Sequence, residues 1–335
     1  MVKRNSFTYK LDSLQQEVLS GILRQGNYRL AEVPYASIAA KTEDCVIALY
    51  KSGKCVAQGK GAEDFVTFVL EPLVLKQAAL GYEDVLDPDI SRPHLGVDES
   101  GKGDFFGPMV TAAAYVDKTL VDAMREMNVR DSKSVSTDKK AMDMGRDIRK
   151  LLDRRFSVVR IGPRSYNALY AKMRSVNAML AWAHARAIEN LLEIVPECPR
   201  AVADQFGVKS QVRNALMRKG REIELVQKHR AESDIAVAAA SILARAEFVH
   251  SLKKMEKEYE LPFPKGASSA VKDSASKLIE KMGAEILLET SKCHFKTTDD
   301  VLRRQGLSRQ DLPPDGQVVS KAARNSGDPA GNVQG

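Results

Sequence analysis

A chain of 335 residues with a 44% hydrophobic fraction is long enough for two domains with packed cores, and this composition excludes a disordered or collagen-like chain. Its net charge of +7 points to an anionic partner, nucleic acid before membrane. The four cysteines, Cys45, Cys55, Cys198 and Cys293, form no C-x-x-C pair and lack zinc-spaced histidines, so reduced, packed thiols are expected. No apolar run approaches the ~18–20 residues of a membrane helix. The basic start Met1-Val2-Lys3-Arg4-Asn5-Ser6 lacks the apolar core of a signal peptide. A soluble cytoplasmic protein is expected.

In chain order, residues 11–23 carry a helical stripe of Leu14, Val18, Leu19 and Ile22, ended by Gly26-Asn27. Strands are expected at 28–33, 37–41 and 45–50. Lys51-Ser52-Gly53-Lys54 turns the last of these into a partner at 55–58. A second helix is expected over 61–75, with Phe65, Phe68 and Val69 inward and a bend at Pro72. Helix, antiparallel sheet and helix make a small α+β unit over residues 1–80. Residues 81–92, with Pro88 and several aspartates, read as a linker to a larger unit over 93–307.

In that unit the expectations are strands at 95–97 and 108–116, a polar loop at 128–140, a helix at 142–152 and a strand at 156–161. A long helix follows at 176–195, with Leu180, Ala183, Ala187, Leu191 and Leu192 inward. A short buried strand at 201–206 delivers Asp204, and another strand is expected at 223–227. Residues 235–245 form a helix apolar nearly all round at its start, and therefore buried there. Ser233 or Glu232 is expected to cap it, with Asp234 in its first turn. From residue 308 to 335, prolines, glycines and few large apolar residues predict a disordered tail.

The stretch with the most chemistry is Asp98-Glu99-Ser100-Gly101-Lys102-Gly103-Asp104-Phe105-Phe106-Gly107. Two adjacent carboxylates end a strand, which suits a hard divalent cation. The bare backbone at Gly101 and Gly103 lets N–H groups approach a ligand closely. A solvated acidic hairpin is the plain alternative. A phosphate loop is another, since Gly96 to Lys102 satisfies G-x-x-x-x-G-K. However, Gly103 stands where Ser or Thr should hold magnesium, and Asp98 and Glu99 would repel the phosphates. Asp98, Glu99, Asp204 and either Glu232 or Asp234 fall at strand ends or a helix start, where sites gather in α/β sheets. Clustered like charges raise one another's pKa, and divalent metal resolves the repulsion. Two metals can activate water and stabilise the leaving oxygen of a phosphodiester. An acidic pit in a basic chain fits metal ions and a polyanion together.

Asp98-Glu99-Ser100-Gly101-Lys102-Gly103-Asp104-Phe105-Phe106-Gly107-Pro108 resembles the first motif of type 2 ribonucleases H, closer to the bacterial ribonucleases HIII than to HII. Asp131-Ser132-Lys133 resembles the family's Asp-Ser-Lys motif, Ala203-Asp204-Gln205-Phe206 its third acidic strand, and residues 238–245 its Ala-rich helix. The hairpin around residues 45–60 resembles the centre of the TATA-binding-protein-like domain that precedes the catalytic domain in ribonuclease HIII. The resemblance implies an α/β chain: a ribonuclease H-like catalytic domain, a mixed sheet flanked by helices, behind a small α+β substrate-binding domain. It implies an endoribonuclease acting on the RNA strand of RNA–DNA hybrids with Mg2+ or Mn2+, working as a monomer without an obligate protein partner or a membrane. Asp98, Glu99 and Asp204 would be metal ligands, and Glu232, aligned through Arg230-Ala231-Glu232, the fourth catalytic acid. Ser100, Gly101, Lys102, Gly103 and Lys133 would contact substrate, the glycine turn meeting the ribose 2′-OH. A hybrid-binding module without catalysis is the rival from another class. The tyrosine that ribonuclease HII uses at RNA–DNA junctions has no identifiable counterpart here.

Overall fold

The computed structural model describes residues 5–76, 92–129, 135, 137–204, 215, 220–228, 231 and 234–319. Two units separate at Ser91 and Arg92.

The N-terminal unit is built on a five-stranded antiparallel sheet in the order β1-β5-β4-β3-β2. These strands are β1 (Ser6–Lys10), β2 (Arg29–Leu30), β3 (Ala36–Lys41), β4 (Cys45–Tyr50) and β5 (Lys54–Gly59). Helix α1 (Ser13–Gln25) starts from a capping box in which Asp12 and Gln15 satisfy each other's backbone N–H. Its buried residues are Leu19 and Leu23, whereas Leu14 and Val18 are exposed, so the inward stripe is rotated from the expected one. Helix α2 (Ala62–Phe65) continues in a wider π-type winding through Val66–Leu75, which contains Pro72. That wider winding turns Phe68 into solvent, contrary to expectation, while Val66, Leu70 and Val74 face the core. Tyr28 packs edge-on against Phe65 in the same core.

The larger unit has a mixed sheet in the order β10-β9-β6-β7-β8. Its strands are β6 (His94–Ser100), β7 (Met109–Val116), β8 (Phe156–Ile161), β9 (Arg200–Asp204) and β10 (Glu224–Lys228). Strands β6, β7 and β8 are antiparallel neighbours, and β10, β9 and β6 run parallel. Around them lie α3 (Lys118–Glu126), α4 (Asp138–Leu152), α5 (Pro163–Met173), α6 (Val176–Leu192), α7 (Ile235–Tyr259), α8 (Ser269–Met282), α9 (Ile286–Thr290) and α10 (Lys296–Arg304).

Helix α7 packs across β6 and β7 and α6 against β7 and β8, so the sheet is buried on both faces. The contact between α7 and β6 is backbone against backbone: a Cβ at Gly96 would collide with the main chain of Ala236 and Val237. This is why α7 opens with alanines. By length and composition α7 could cross a bilayer, yet most of its apolar window is buried inside the unit. It is a core helix.

The four cysteines are free and buried. The stretch from residue 308 is not disordered as far as residue 319. Short 3-10 turns at Arg309–Asp311 and Pro314–Gly316 are fastened by the Arg309 guanidinium. It donates to the carbonyls of Cys293, Phe295, Gly316 and Val318 and to the Asp299 carboxylate.

Candidate active site

The parallel register of β6 and β9 fixes the centre of the site. Val97 lies beside Ala203, so the next step along each strand sets Asp98 beside Asp204, on the same face of the sheet. That face carries α7, whose Ser241 hydroxyl hydrogen-bonds the Asp98 side chain. The Glu99 N–H donates to Asp98 Oδ1 at 2.8 Å. Burial pushes the Asp98 carboxyl up to about 6, helped by the Glu99 charge and opposed by the bonds from Ser241 and Glu99 N–H and by His184.

Strand alternation sends Glu99 to the other face. There the buried His184 of α6 donates from Nε2 to Glu99 Oε2 at 2.9 Å, and Lys102 Nζ approaches Oε1 at 3.9 Å. Among the described residues, no three or more His, Cys, Asp and Glu side chains are gathered closely enough to hold a metal. The donor set nonetheless fits a hard divalent ion. Asp98 and Asp204 stand on adjacent strand ends, Asp98 desolvated and in need of a counter-charge, and Glu99 is the next residue, turned to the opposite face.

Glu232 and the Asp131-Ser132-Lys133 motif lie outside the described residues. Asp234 is the N-cap of α7, not a residue of its first turn. Its Oδ1 accepts from the N–H groups of Ala236 at 2.9 Å and Val237 at 3.2 Å. It also meets Nε2 of the buried His94 at 3.1 Å. Burial alone would raise the Asp234 carboxyl, but the His94 bond and the two backbone N–H groups outweigh it and hold it below the ordinary range. His94 opens β6, four residues before Asp98, a run of about 13 Å along a strand.

The turn after the acids is shaped by two glycines with positive φ, Gly101 (+87°) and Gly107 (+77°). A Cβ at Gly101 would strike the Pro108 carbonyl and the Phe248 ring, so the turn needs glycine there. Gly103 has nothing within 4 Å of where a Cβ would stand, so it faces open space.

Ser241 and His184 were not anticipated. Each left a trace: Ser241 is the one hydroxyl within Ala238-Ala239-Ala240-Ser241-Ile242-Leu243-Ala244, and His184 sits on the inward stripe of α6 beside Leu180 and Ala187.

The family model described as Ribonuclease HII matches residues 95–298, more than half of the chain, and one described as a domain of unknown function matches residues 10–76. A ribonuclease HIII of Protochlamydia amoebophila (strain UWE25) is 38% identical over 300 residues, covering 90% of this chain and 98% of the relative. One of Chlamydia pneumoniae is 40% identical over 297 residues, covering 88% and 97%. The crystal structure of Bst-RNase HIII in complex with Mn2+ superposes with a TM-score of 0.61 at 25% identity, over 89% of this chain and 98% of that one. The ribonuclease H2 of Pyrococcus horikoshii OT3, at 20% identity and a TM-score of 0.53 over 64% and 98%, shares the fold. The acids at adjoining strand ends, the glycine turn and relatives aligned over nearly their whole length converge, and the chain belongs to the type 2 ribonucleases H, among the ribonucleases HIII.

Proposed function

We propose that Asp98, Glu99, Asp204 and Glu232 are the acids through which this ribonuclease acts, with Asp98, Glu99 and Asp204 as ligands of divalent metal, Mg2+ or Mn2+. As a ribonuclease HIII the chain is an endonuclease that cleaves the RNA strand of RNA–DNA hybrids. The observation that carries the residue assignment is the parallel register that sets Val97 beside Ala203, with Asp98 and Asp204 the next residue on each strand. Bst-RNase HIII, whose structure contains Mn2+, supports the choice of ion. Two ions bound at these carboxylates would supply an activated water and neutralise the departing 3′ oxygen, giving 5′-phosphate and 3′-hydroxyl ends.

The protein's own part is placement and charge. Asp98 offers a carboxylate whose charge is costly until a cation arrives. His184 fixes the direction of Glu99. Two features favour Glu232 over Asp234 as the fourth acid. Both oxygens of Asp234 already serve the helix cap and His94, at the start of β6. Strand β10 ends at Lys228, in register with Asp204 and four residues before Glu232.

Ser100, Gly101, Lys102, Gly103 and Lys133 hold the substrate, the turn's N–H groups meeting the ribose 2′-OH that separates RNA from DNA. The N-terminal sheet grips the nucleic-acid backbone. Its face turned from α1 carries Lys10, Arg29, Lys41 and Lys54 and, within the strands, no carboxylate. Tyr50 adjoins that face, whereas Tyr28 belongs to the core. The enzyme works as a monomer in the cytoplasm, a reducing compartment compatible with four free thiols.

The test is incubation with a hybrid labelled on its RNA strand, with Mg2+, with Mn2+ and with chelator. Metal-dependent cleavage leaving 3′-hydroxyl ends is expected. Binding without cleavage in either metal would make the chain a hybrid-binding module instead.

A further inference from the structure

Beneath the glycine turn lies a cation that the chemistry above does not use. Lys292, in the segment between α9 and α10, is fully buried. Its ammonium donates to three carbonyls, those of Asp104 at 2.8 Å, Gly107 at 2.8 Å and Phe106 at 3.2 Å, one for each proton. The rings of Tyr166 and Phe248 lie 5.8 and 5.9 Å from it. The backbone around Lys292 holds the same loop. Lys292 N–H donates to Phe105 O at 2.8 Å, Gly107 N–H donates to Thr290 O at 2.9 Å, and Phe106 forms a bridge with Ser291.

Among the described residues no carboxylate contacts this ammonium, and a buried ammonium so placed is expensive. Burial pulls its pKa down to about 7, which the Asp104 charge opposes, while three carbonyl acceptors suit the charged form. An apolar side chain would fill the space at less cost. What a filler could not do is fix the direction of three carbonyls within one four-residue loop. That loop continues the glycine turn: Asp104 N–H reaches back to Gly101 O at 3.4 Å, and Asp104 Oδ1 accepts from Gly266 N–H at 2.6 Å. The Phe248 ring beneath Lys292 also backs Gly101. Gly103, at the tip, faces open space.

We propose that Lys292 is a positioning residue for substrate discrimination: by fixing the backbone of residues 104–107 it sets the Gly101-Lys102-Gly103 turn where its N–H groups meet the ribose 2′-OH. The proposal rests on the reading of that turn as a substrate contact. Its test therefore includes an arm for that reading.

The readout is the factor by which cleavage slows when one 2′-deoxynucleotide is walked along the RNA strand of a hybrid, taken at the most sensitive position. It is measured for the unaltered enzyme, Lys292→Met, Lys292→Gln and Gly103→Ala, below the melting temperature of each. In Lys292→Met the factor is expected to shrink by roughly tenfold, about the worth of one hydrogen bond. Lys292→Gln, which keeps two donors, should fall between. A lowered melting temperature with an unchanged factor would make Lys292 a structural residue only and overturn the proposal. An unaltered enzyme indifferent to 2′-deoxy substitution at every position, with Gly103→Ala equally indifferent, would instead sink the reading of the turn. Should both Lys292 variants fail to fold, amide exchange on the unaltered chain decides. Phe105 and Gly107 N–H must exchange as slowly as Val110 and Ala112 within β7, and rapid exchange would refute the clamp.

Discussion

Strands β4 and β5 of the N-terminal unit bury Cys45, Ile47, Leu49, Cys55 and Ala57 on one side and leave Val46, Lys54 and Gln58 exposed on the other. Strand β7 of the larger unit buries all eight of its residues. The first sheet has helices on one face and keeps a cationic face for solvent or a polyanion. The second has helices on both faces, so a ligand can reach it only at strand ends, where Asp98 and Asp204 stand. One-sided burial leaves a broad surface suited to holding, and two-sided burial confines polar chemistry to the strand ends. If this division is right, substitutions should separate affinity from rate according to the unit they fall in.

The largest effect belongs to Asp98→Asn. It should abolish metal-dependent cleavage, with a loss of several kcal/mol of transition-state stabilisation at tenfold per ~1.4, while hybrid affinity and folding persist. Retention of more than about a tenth of the rate in both Mg2+ and Mn2+ would remove Asp98 from the chemistry.

Next come Glu232→Gln and Asp234→Asn, compared for rate and melting temperature. Glu232→Gln should lose rate and keep its melting temperature. Asp234→Asn disturbs the cap of α7 and the His94 contact, and should lose roughly 0.5–2 kcal/mol of stability while keeping most of its rate. A dead Asp234→Asn with an active Glu232→Gln would reverse the assignment.

Lys41→Glu with Lys54→Glu tests the other side of the comparison. Hybrid affinity should weaken, and each lost phosphate contact should flatten the log–log salt slope by about 0.7–0.9. The single-turnover rate at saturating hybrid should stay near that of the unaltered enzyme. An unchanged affinity and slope would leave that face without a role in binding.

The smallest effect concerns stability in the larger unit. Asp138 Oδ1 meets Lys265 Nζ at 2.8 Å and Arg245 Nη2 at 3.0 Å. Burial raises the Asp138 carboxyl, but these two partners outweigh it and hold it below the usual carboxylate range. A depressed carboxylate stabilises the fold above its unfolded pKa, and that contribution disappears as pH falls through the folded value. Asp138→Asn should therefore lower the melting temperature at neutral pH by the equivalent of about 1 kcal/mol or less. The gap between variant and unaltered protein should close in acid, and a gap that widens there would refute the sign.

Much of this division was legible in the residues. Alternation in Cys45-Val46-Ile47-Ala48-Leu49-Tyr50 and the near-continuous apolar run at residues 109–116 already distinguish a one-sided sheet from a two-sided one. The all-apolar start of α7 announced its burial, and Gly96 with the alanines facing it explains how closely it packs.

What sequence missed depended on distant partners. Strand β1 pairs with β5, about fifty residues away in the chain, and has only Phe7 fully buried, so local periodicity is weak. The wider winding after Phe65 turns Phe68 outward, whereas Phe65 and Val69 pack on the core as expected. The stretch after residue 308 reads as disordered because its order comes from distant partners: Arg309 collects carbonyls from residues 293–318, and Leu312 and Val318 are buried in the cores of the larger unit. At the site, the carboxylates were readable as a motif. Their orientation was not, because alternation divides Asp98 from Glu99 and only the helices on each face reveal Ser241 and His184 as partners.

Calorimetric titration of Mn2+ into the unaltered enzyme, Asp98→Asn and Asp204→Asn, without nucleic acid, tests most directly whether the two strand ends form the metal site. Saturable binding by the unaltered enzyme that is lost or weakened at least tenfold in both variants is the predicted result, an essential ligand being worth well over ~1.4 kcal/mol. Equal Mn2+ affinity in all three proteins would contradict it.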